Sequence, residues 1–351
     1  MSGYKQKIIL GIESSCDETA CAVVADGQAV LSNVVATQID LHKRFGGVVP
    51  ELASRAHIEA INTVVDEALA VCGNSLPDAV AVTHQPGLIG SLLVGLMAAK
   101  TLAWTWGRPL VGVNHVRAHA YAAALDAEPI EYPAVALICS GGHTALYHCT
   151  GPTEMELIGN TIDDAAGEAF DKVAAILNLG YPGGPVIDKV AKSGDPQAVK
   201  FPRSLLKGQS LDFSFSGIKT AVLYHVNGLP GRAGDAPLGI ENLSPQQIAD
   251  IAASFQQAVV DTLTIKIRRA VERFSPRTII LGGGVAANSV LRQATEDLAG
   301  KTRTTFRKPE MRFCTDNAAM IAGLGYHYLQ AGQVADLGLT ATATARTKVG
   351  K

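Results

Sequence analysis

The sequence predicts an α/β protein of two similar lobes around a cleft, and three observations point there. The chain has 351 residues, 47% of them hydrophobic, enough for two cores. An apolar hairpin with a polar turn occurs twice, in "KIILGIESSCDETACAVVADGQAVLSNVVA" from residue 7 and in "AVALICSGGHTALYHCTG" from residue 134. Each hairpin is followed downstream by a strand, a glycine-bearing turn and a helix: "DAVAVTHQPGLIGSLLVGLMAAKTLAW" in the first half, "RTIILGGGVAANSVLRQATEDLAG" in the second. A duplicated plan of this kind marks an internal repeat.

In the first half, apolar runs at 7–12, 20–25 and 29–36 read as strands, broken by Ser-Ser-Cys-Asp-Glu-Thr and by Asp26-Gly27. Helices are expected at 51–72, 165–178, 245–273 and 316–330, the first after Pro50 and the third after Ser244-Pro245, both sound start signals. The apolar stretch Leu88 to Trp106 carries Gly90, Gly95 and Lys100 and reads as a core helix rather than a membrane span. The Gly- and Pro-rich stretch 227–245 reads as an exposed insertion.

A net charge of −2 with 18% charged residues gives no general attraction for nucleic acid, so an RNA partner needs a local patch. Lys189 to Lys192, Arg203 to Lys207 and Lys266 to Arg273 are local basic stretches that serve equally as solvated helix faces. The six cysteines form no C-x-x-C pair and sit mostly in apolar runs, as thiols do in a reducing cytoplasm. The N-terminal apolar run ends at Glu13, too short and too soon charged for a signal peptide.

Within "VNHVRAHAYAAAL", read as a helix, His115 and His119 stand four apart, so both imidazoles can face one ion. The zinc-protease pattern H-E-x-x-H would put its glutamate base where Val116 stands. Asp316, at the start of an apolar helix, offers a third ligand, although Thr315 or Asp316 would also serve as that helix's cap. Two imidazoles and one carboxylate leave open positions on zinc or non-haem iron. Ser140-Gly141-Gly142 and Gly282-Gly283-Gly284 each follow an apolar strand, where bare N–H groups can approach an anion or simply make a tight turn. Neither matches the P-loop pattern. Asp171 and Asp188 can accept hydrogen bonds from hydroxyls or amines.

Taken in order, "GIESSCDETACAVV", "FGGVVPELASRAHIE", "PGLIGSLLVG", the H-x-x-x-H, "CSGGHTALY", "IDDAAGEAFDKVA", "YPGGP", "LDFSFSGIKTAV", "GGGVAANSVLR" and "CTDNAAMIA" resemble the TsaD/Kae/OSGEP family of tRNA N6-adenosine threonylcarbamoyltransferases, from about Ile8 to Gly338. The resemblance implies two actin-like ATPase lobes (the ASKHA, RNase H-like fold). Residues 1–125 with about 315–345 would form the lobe carrying the metal helix, and 130–312 the lobe binding the adenylate. It implies metal ligands at His115, His119 and Asp316 for one iron or zinc ion per subunit, and substrate contacts at Ile138, Cys139, Ser140, Gly141, Gly142, Asp171, Gly184, Asp188 and Asn288.

The activity implied moves the threonylcarbamoyl group of threonylcarbamoyl-AMP to N6 of the adenosine beside the anticodon in tRNA, in the cytoplasm. The partners implied are a TsaB-like paralogue and a TsaE-like ATPase, or the larger KEOPS assembly. No residue stands out as general base, Asp17 and Glu18 being the acidic candidates. The rival readings are a metal-dependent glycopeptidase, a non-catalytic nucleotide-binding scaffold, and a kinase or ATPase of the same fold. Many bacterial relatives read H-x-E-G-H where this chain has Arg117 and Ala118, and carry glycine where it has Gln85.

Overall fold

The computed structural model describes residues 6–206, 208–228 and 239–344. The chain divides into two compact units, one taking the residues up to Ile130, Pro152–Glu154 and those from Pro309, the other Glu131–Gly151 and Met155–Lys308.

In the first unit, β1 (Ile8–Glu13), β2 (Glu18–Ala25) and β3 (Ala29–Thr37) form an antiparallel meander. A short α1 (Ile39–Lys43) and the long α2 (Pro50–Leu69) follow. Then come β4 (Ala79–Gln85), α3 (Ile89–Trp106), β5 (Leu110–Asn114) and α4 (His115–Tyr121). β4 lies parallel to β1 and β5 parallel to β4, giving the order β3-β2-β1-β4-β5. Alternate residues of β1 and β2 point to opposite faces. Leu10, Ile12, Cys21 and Val23 pack with residues of α2 and α3, and Ile9, Ala20, Ala22 and Val24 with the helix Ala318–Gln330. Because both faces are covered, these strands read as unbroken apolar runs. At Gly11 the covering helix comes so close that a Cβ would stand 2.3 Å from the Ala318 carbonyl oxygen.

The second unit repeats the plan. β6 (Ala134–Cys139), β7 (Thr144–Cys149) and β8 (Met155–Asn160) are antiparallel. Four helices follow: α5 (Ala166–Ile176), α6 (Gly183–Ala191), α7 (Ser216–Asn227) and α8 (Pro245–Phe274). β9 (Thr278–Gly282), α9 (Ser289–Thr302) and β10 (Thr305–Arg307) complete it, in the order β10-β9-β6-β7-β8. β6, β9 and β10 are mutually parallel neighbours, as β1, β4 and β5 are. The core gathers Val135, Leu137, Phe170, Phe213, Phe215 and Phe255. The final helix, α10 (Ala318–Gln330), belongs to the first unit.

Several expectations need correction. Residues 111–114 belong to β5, so the histidine helix is only α4, and it begins at His115 itself. The second half has a third meander strand, β8, that its mixed polarity hides. α3 is only half a core helix: Leu92, Leu96, Ala99 and Ala103 are buried, while Ile89, Leu93, Met97 and Trp104 are exposed. Of the 227–245 stretch, residues 229–238 lie outside the described residues, and Ile240–Asn242 form a single helical turn. Lys266, read as part of a basic face, is wholly buried, and Arg203 pairs with Asp261 at 2.8 Å. Lys207 lies outside the described residues.

Candidate metal centre and substrate residues

β5 delivers the chain to Asn114, whose side-chain oxygen accepts the Arg117 amide at 3.1 Å and so starts α4. This fixes His115 in the first turn and His119 one turn later, both buried on one side. The third group comes from the loop before α10. There the cap is Asn317, whose oxygen accepts the Met320 amide at 3.0 Å, so neither Thr315 nor Asp316 is used as the helix cap.

Asp316 Oδ1 lies 3.5 Å from His115 Nε2 and 3.0 Å from His119 Nε2. With bonds of about 2.1 Å, ligand atoms on one ion stand roughly 3.0 Å apart in octahedral and roughly 3.4 Å apart in tetrahedral coordination. The two histidine–aspartate separations fall close to that range, and the three donor atoms all lie within 4.8 Å of one another. His119 Nδ1 is buried and meets no hydrogen-bond partner among the described residues, so the ring's polar engagement is through Nε2, toward Asp316.

Behind His115 stands Glu13, wholly buried at the end of β1. Its Oε2 lies 3.0 Å from His115 Nδ1 and accepts the Thr83 hydroxyl at 2.6 Å, while Oε1 accepts the Ser15 amide at 2.6 Å. A carboxylate on Nδ1 fixes the tautomer that leaves Nε2 free for an ion. Burial alone would depress the His115 pKa, but Asp316, Glu13 and the hydrogen bond to Glu13 outweigh it and raise it to about 9. Burial alone would raise Glu13, and His115 outweighs that in turn, holding the carboxyl below its ordinary range. Two carboxylates thus call for positive charge at this spot, and the donor set suits a divalent cation of the zinc or iron type.

Glu18 stands at the end of the acidic turn between β1 and β2. Its pKa is pushed well up, by burial first and then by the charges of Asp316 and Asp17. Thr37 donates to Glu18 at 3.3 Å, and the Asp17 carbonyl accepts the Gln38 amide at 3.0 Å.

The sequence matches the TsaD family, tRNA N6-adenosine threonylcarbamoyltransferase, over residues 29–323. A protein of that name from Symbiobacterium thermophilum is 53% identical over 97% of this chain and 97% of its own length. Another from Clostridium beijerinckii is 50% identical over 96% and 97%. The chain belongs to this family. Among solved structures, full-length HypF, in a phosphate- and nucleotide-bound form, superposes with a TM-score of 0.59 at 13% identity. That match covers 97% of this chain and 47% of HypF. Component A of the Acidaminococcus fermentans (R)-2-hydroxyglutaryl-CoA dehydratase gives 0.50 at 15%, over 92% and 99%. These likenesses concern the fold, which is the two-lobed actin-like ATPase type.

The other positions that the sequence resemblance singled out fall in the second unit. Ile138 and Cys139 end β6, both buried, and burial pushes the Cys139 thiol up to about 12, so it is not a nucleophile at neutral pH. Ser140 closes a tight turn, its amide donating to the His143 carbonyl at 2.8 Å and its hydroxyl accepting the His143 amide at 3.2 Å. Gly141 and Gly142 stand in open space, where a Cβ would touch nothing. The triple glycine divides its roles: a Cβ on Gly283 would collide with the Cys139 carbonyl at 2.3 Å, while Gly284 is open. Asp171 accepts the Gly183 amide at 2.7 Å at the start of α6, and Gly184 beside it is open. Asp188 accepts from Asn288 at 3.1 Å and from the Ser289 hydroxyl at 2.8 Å. The Asn288 amide also donates to Gln256 at 2.7 Å, and its oxygen caps α9 through the Leu291 amide at 2.9 Å.

Glu13, Thr83 and Ser15 escaped sequence reasoning. The available signal was a carboxylate ending an otherwise apolar strand, since a buried charge needs a partner.

Proposed function

We propose that this chain transfers the threonylcarbamoyl group of threonylcarbamoyl-AMP to N6 of the adenosine beside the anticodon, in tRNAs that read codons beginning with adenine, releasing AMP. The observation that carries this reading is the convergence of His115, His119 and Asp316 within ligand spacing, in a chain of this family. One iron or zinc ion held by these three would act as a Lewis acid on the threonylcarbamoyl end of the donor.

The reaction forms a bond from N6 to the carbamoyl carbon, breaks that carbon's bond to the phosphate oxygen, and releases the N6 proton. The uncrowded backbone at Gly141 and Gly142 suits the phosphate of the adenylate, next to Ser140, whose own amide is spent on the His143 carbonyl, and the buried Ile138 and Cys139. Asp171 and Gly184 stand at the start of α6, and Asp188 with Asn288 forms a polar support beside them. The acidic side chains of the first turn, Asp17 and Glu18, are the candidates to take the N6 proton. The compartment in this reading is the cytoplasm, and the partners are a TsaB-like paralogue and a TsaE-like ATPase that complete the tRNA site.

The test supplies the purified chain and those partners with threonylcarbamoyl-AMP and unmodified tRNA, and reads the modified nucleoside by mass spectrometry. His115→Ala, His119→Ala and Asp316→Ala should each lose metal and lower transfer by about a hundredfold or more. Wild-type metal content in all three variants would overturn the assignment.

A further inference from the structure

The segment from His42 to Val49, which runs into the start of "FGGVVPELASRAHIE" at Phe45, is a stapled loop with an open tip. His42 is wholly buried; its Nδ1 accepts the Val49 amide at 3.3 Å and its Nε2 donates to Gln38 Oε1 at 3.1 Å. One ring therefore ties the loop's exit to its entry. Gln38 extends the staple, donating its side-chain amide to the Ala53 carbonyl at 3.3 Å and its backbone amide to Asp17.

Beyond the staple, Lys43, Arg44, Phe45 and Gly46 are exposed. Phe45 leaves 52% of its surface open, with the Arg44 guanidinium 5.0 Å from its ring centroid. Among the described residues neither Lys43 nor Arg44 meets a carboxylate. A Cβ at Gly46 or Gly47 would have no atom within 4 Å. More than half of the Phe45 surface thus stays in water. Polar bonds at its base, not burial at its tip, hold the loop in place.

The loop is also joined to the metal centre. The turn between β1 and β2 touches His115 on one side, through the Ser15 hydroxyl at 3.1 Å. On its other side it meets the loop's base, through Asp17 and Gln38, and α2, through the Cys16 carbonyl and His57 at 3.0 Å. We propose that Lys43, Arg44 and Phe45 form a contact for the single-stranded loop of the RNA substrate, an unpaired base stacking on Phe45 while the two cations meet flanking phosphates. The inference rests on the tRNA reading above. An aromatic ring flanked by cations suits unpaired RNA, because every base offers a π-face and every linkage a negative charge. A helical protein partner would instead meet an apolar stripe, which this tip lacks.

The test uses the full chain in the reconstituted transfer assay. Phe45→Ala should raise the KM for tRNA about 5- to 100-fold, the range for one lost stacked base, with kcat, the donor KM and metal content unchanged. Phe45→Trp should restore the wild-type value. Lys43→Ala with Arg44→Ala should lower the slope of log affinity against log salt by about 0.7 to 0.9 per cation. Wild-type tRNA KM and salt slope in these variants would overturn the inference and leave the functional reading standing. Failure of the variants to assemble with the partner proteins, seen by size-exclusion chromatography, would overturn it in favour of a protein contact. A wild type that modifies no tRNA would overturn the functional reading and this inference with it.

Discussion

Glu13 shows how one residue is made tolerable inside a core and useful there. A wholly buried carboxylate is costly unless its oxygens are satisfied, and here Ser15, Thr83 and His115 satisfy them. The same bonds orient the His115 ring, so Glu13 is a positioning residue. Glu13→Gln keeps the shape and loses the charge, and should weaken metal affinity about 10- to 100-fold, the range typical of such supporting carboxylates. Competition with a chelator measures this, and an affinity equal to wild type would refute the role. At this scale the candidate ligands were more legible in the sequence than the groups that support them. His115 and His119 are four apart on one helix, so local spacing suffices, and the cap of α10 falls to Asn317, next to Asp316. Thr83 lies 70 residues from Glu13 in the chain, and only the pairing of β1 with β4 brings them together.

Among the elements, α8 had the clearest start, because Ser244 and Gln247 form a reciprocal cap and Pro245 opens the first turn. What that helix does with Lys266 was not legible, since a lysine near Arg268 and Arg269 reads as a solvated face. In the fold Lys266 Nζ donates to the Leu205 and Ser210 carbonyls at 2.7 Å each, tying a loop to the helix. Burial, then the charge of Arg269, pulls its pKa down to about 8, against a smaller opposing pull from Asp212. An unfolded lysine titrates near 10.4 or so, so between about pH 8 and that value the unfolded chain binds more protons. Stability from this group therefore rises with pH across that window and is flat below it. Lys266→Met removes the rise, so the wild type should gain on the variant between pH 8 and pH 10 in urea unfolding. A constant difference across that range would refute the account. Other elements were hidden for simpler reasons: β10 has three residues, and α6 begins in Pro-Gly-Gly-Pro, which reads as a turn.

For the whole molecule, the repeat was legible because both meanders and both strand-turn-helix units carry the same pattern, and the two sheets share one strand order. What the pattern does not encode is which faces stay open. α3 buries Leu92 and Leu96 yet exposes Ile89, Leu93 and Met97 at four-residue steps, a stripe that the described residues leave uncovered. The net charge of −2 gives no general pull toward tRNA, whose binding draws on many phosphate contacts. An apolar face with no cover among the described residues and a polyanionic substrate met by a chain of net negative charge both favour a protein partner that covers the one and helps bind the other. The lone chain should therefore turn over poorly, and addition of the paralogue and the ATPase should raise multiple-turnover transfer by at least about tenfold. Leu93→Asp with Met97→Asp should block that gain while leaving metal content and thermal stability near wild type, because both side chains are exposed. The measurement is nucleoside yield with and without partners, and full multiple-turnover activity from the chain alone would refute the requirement.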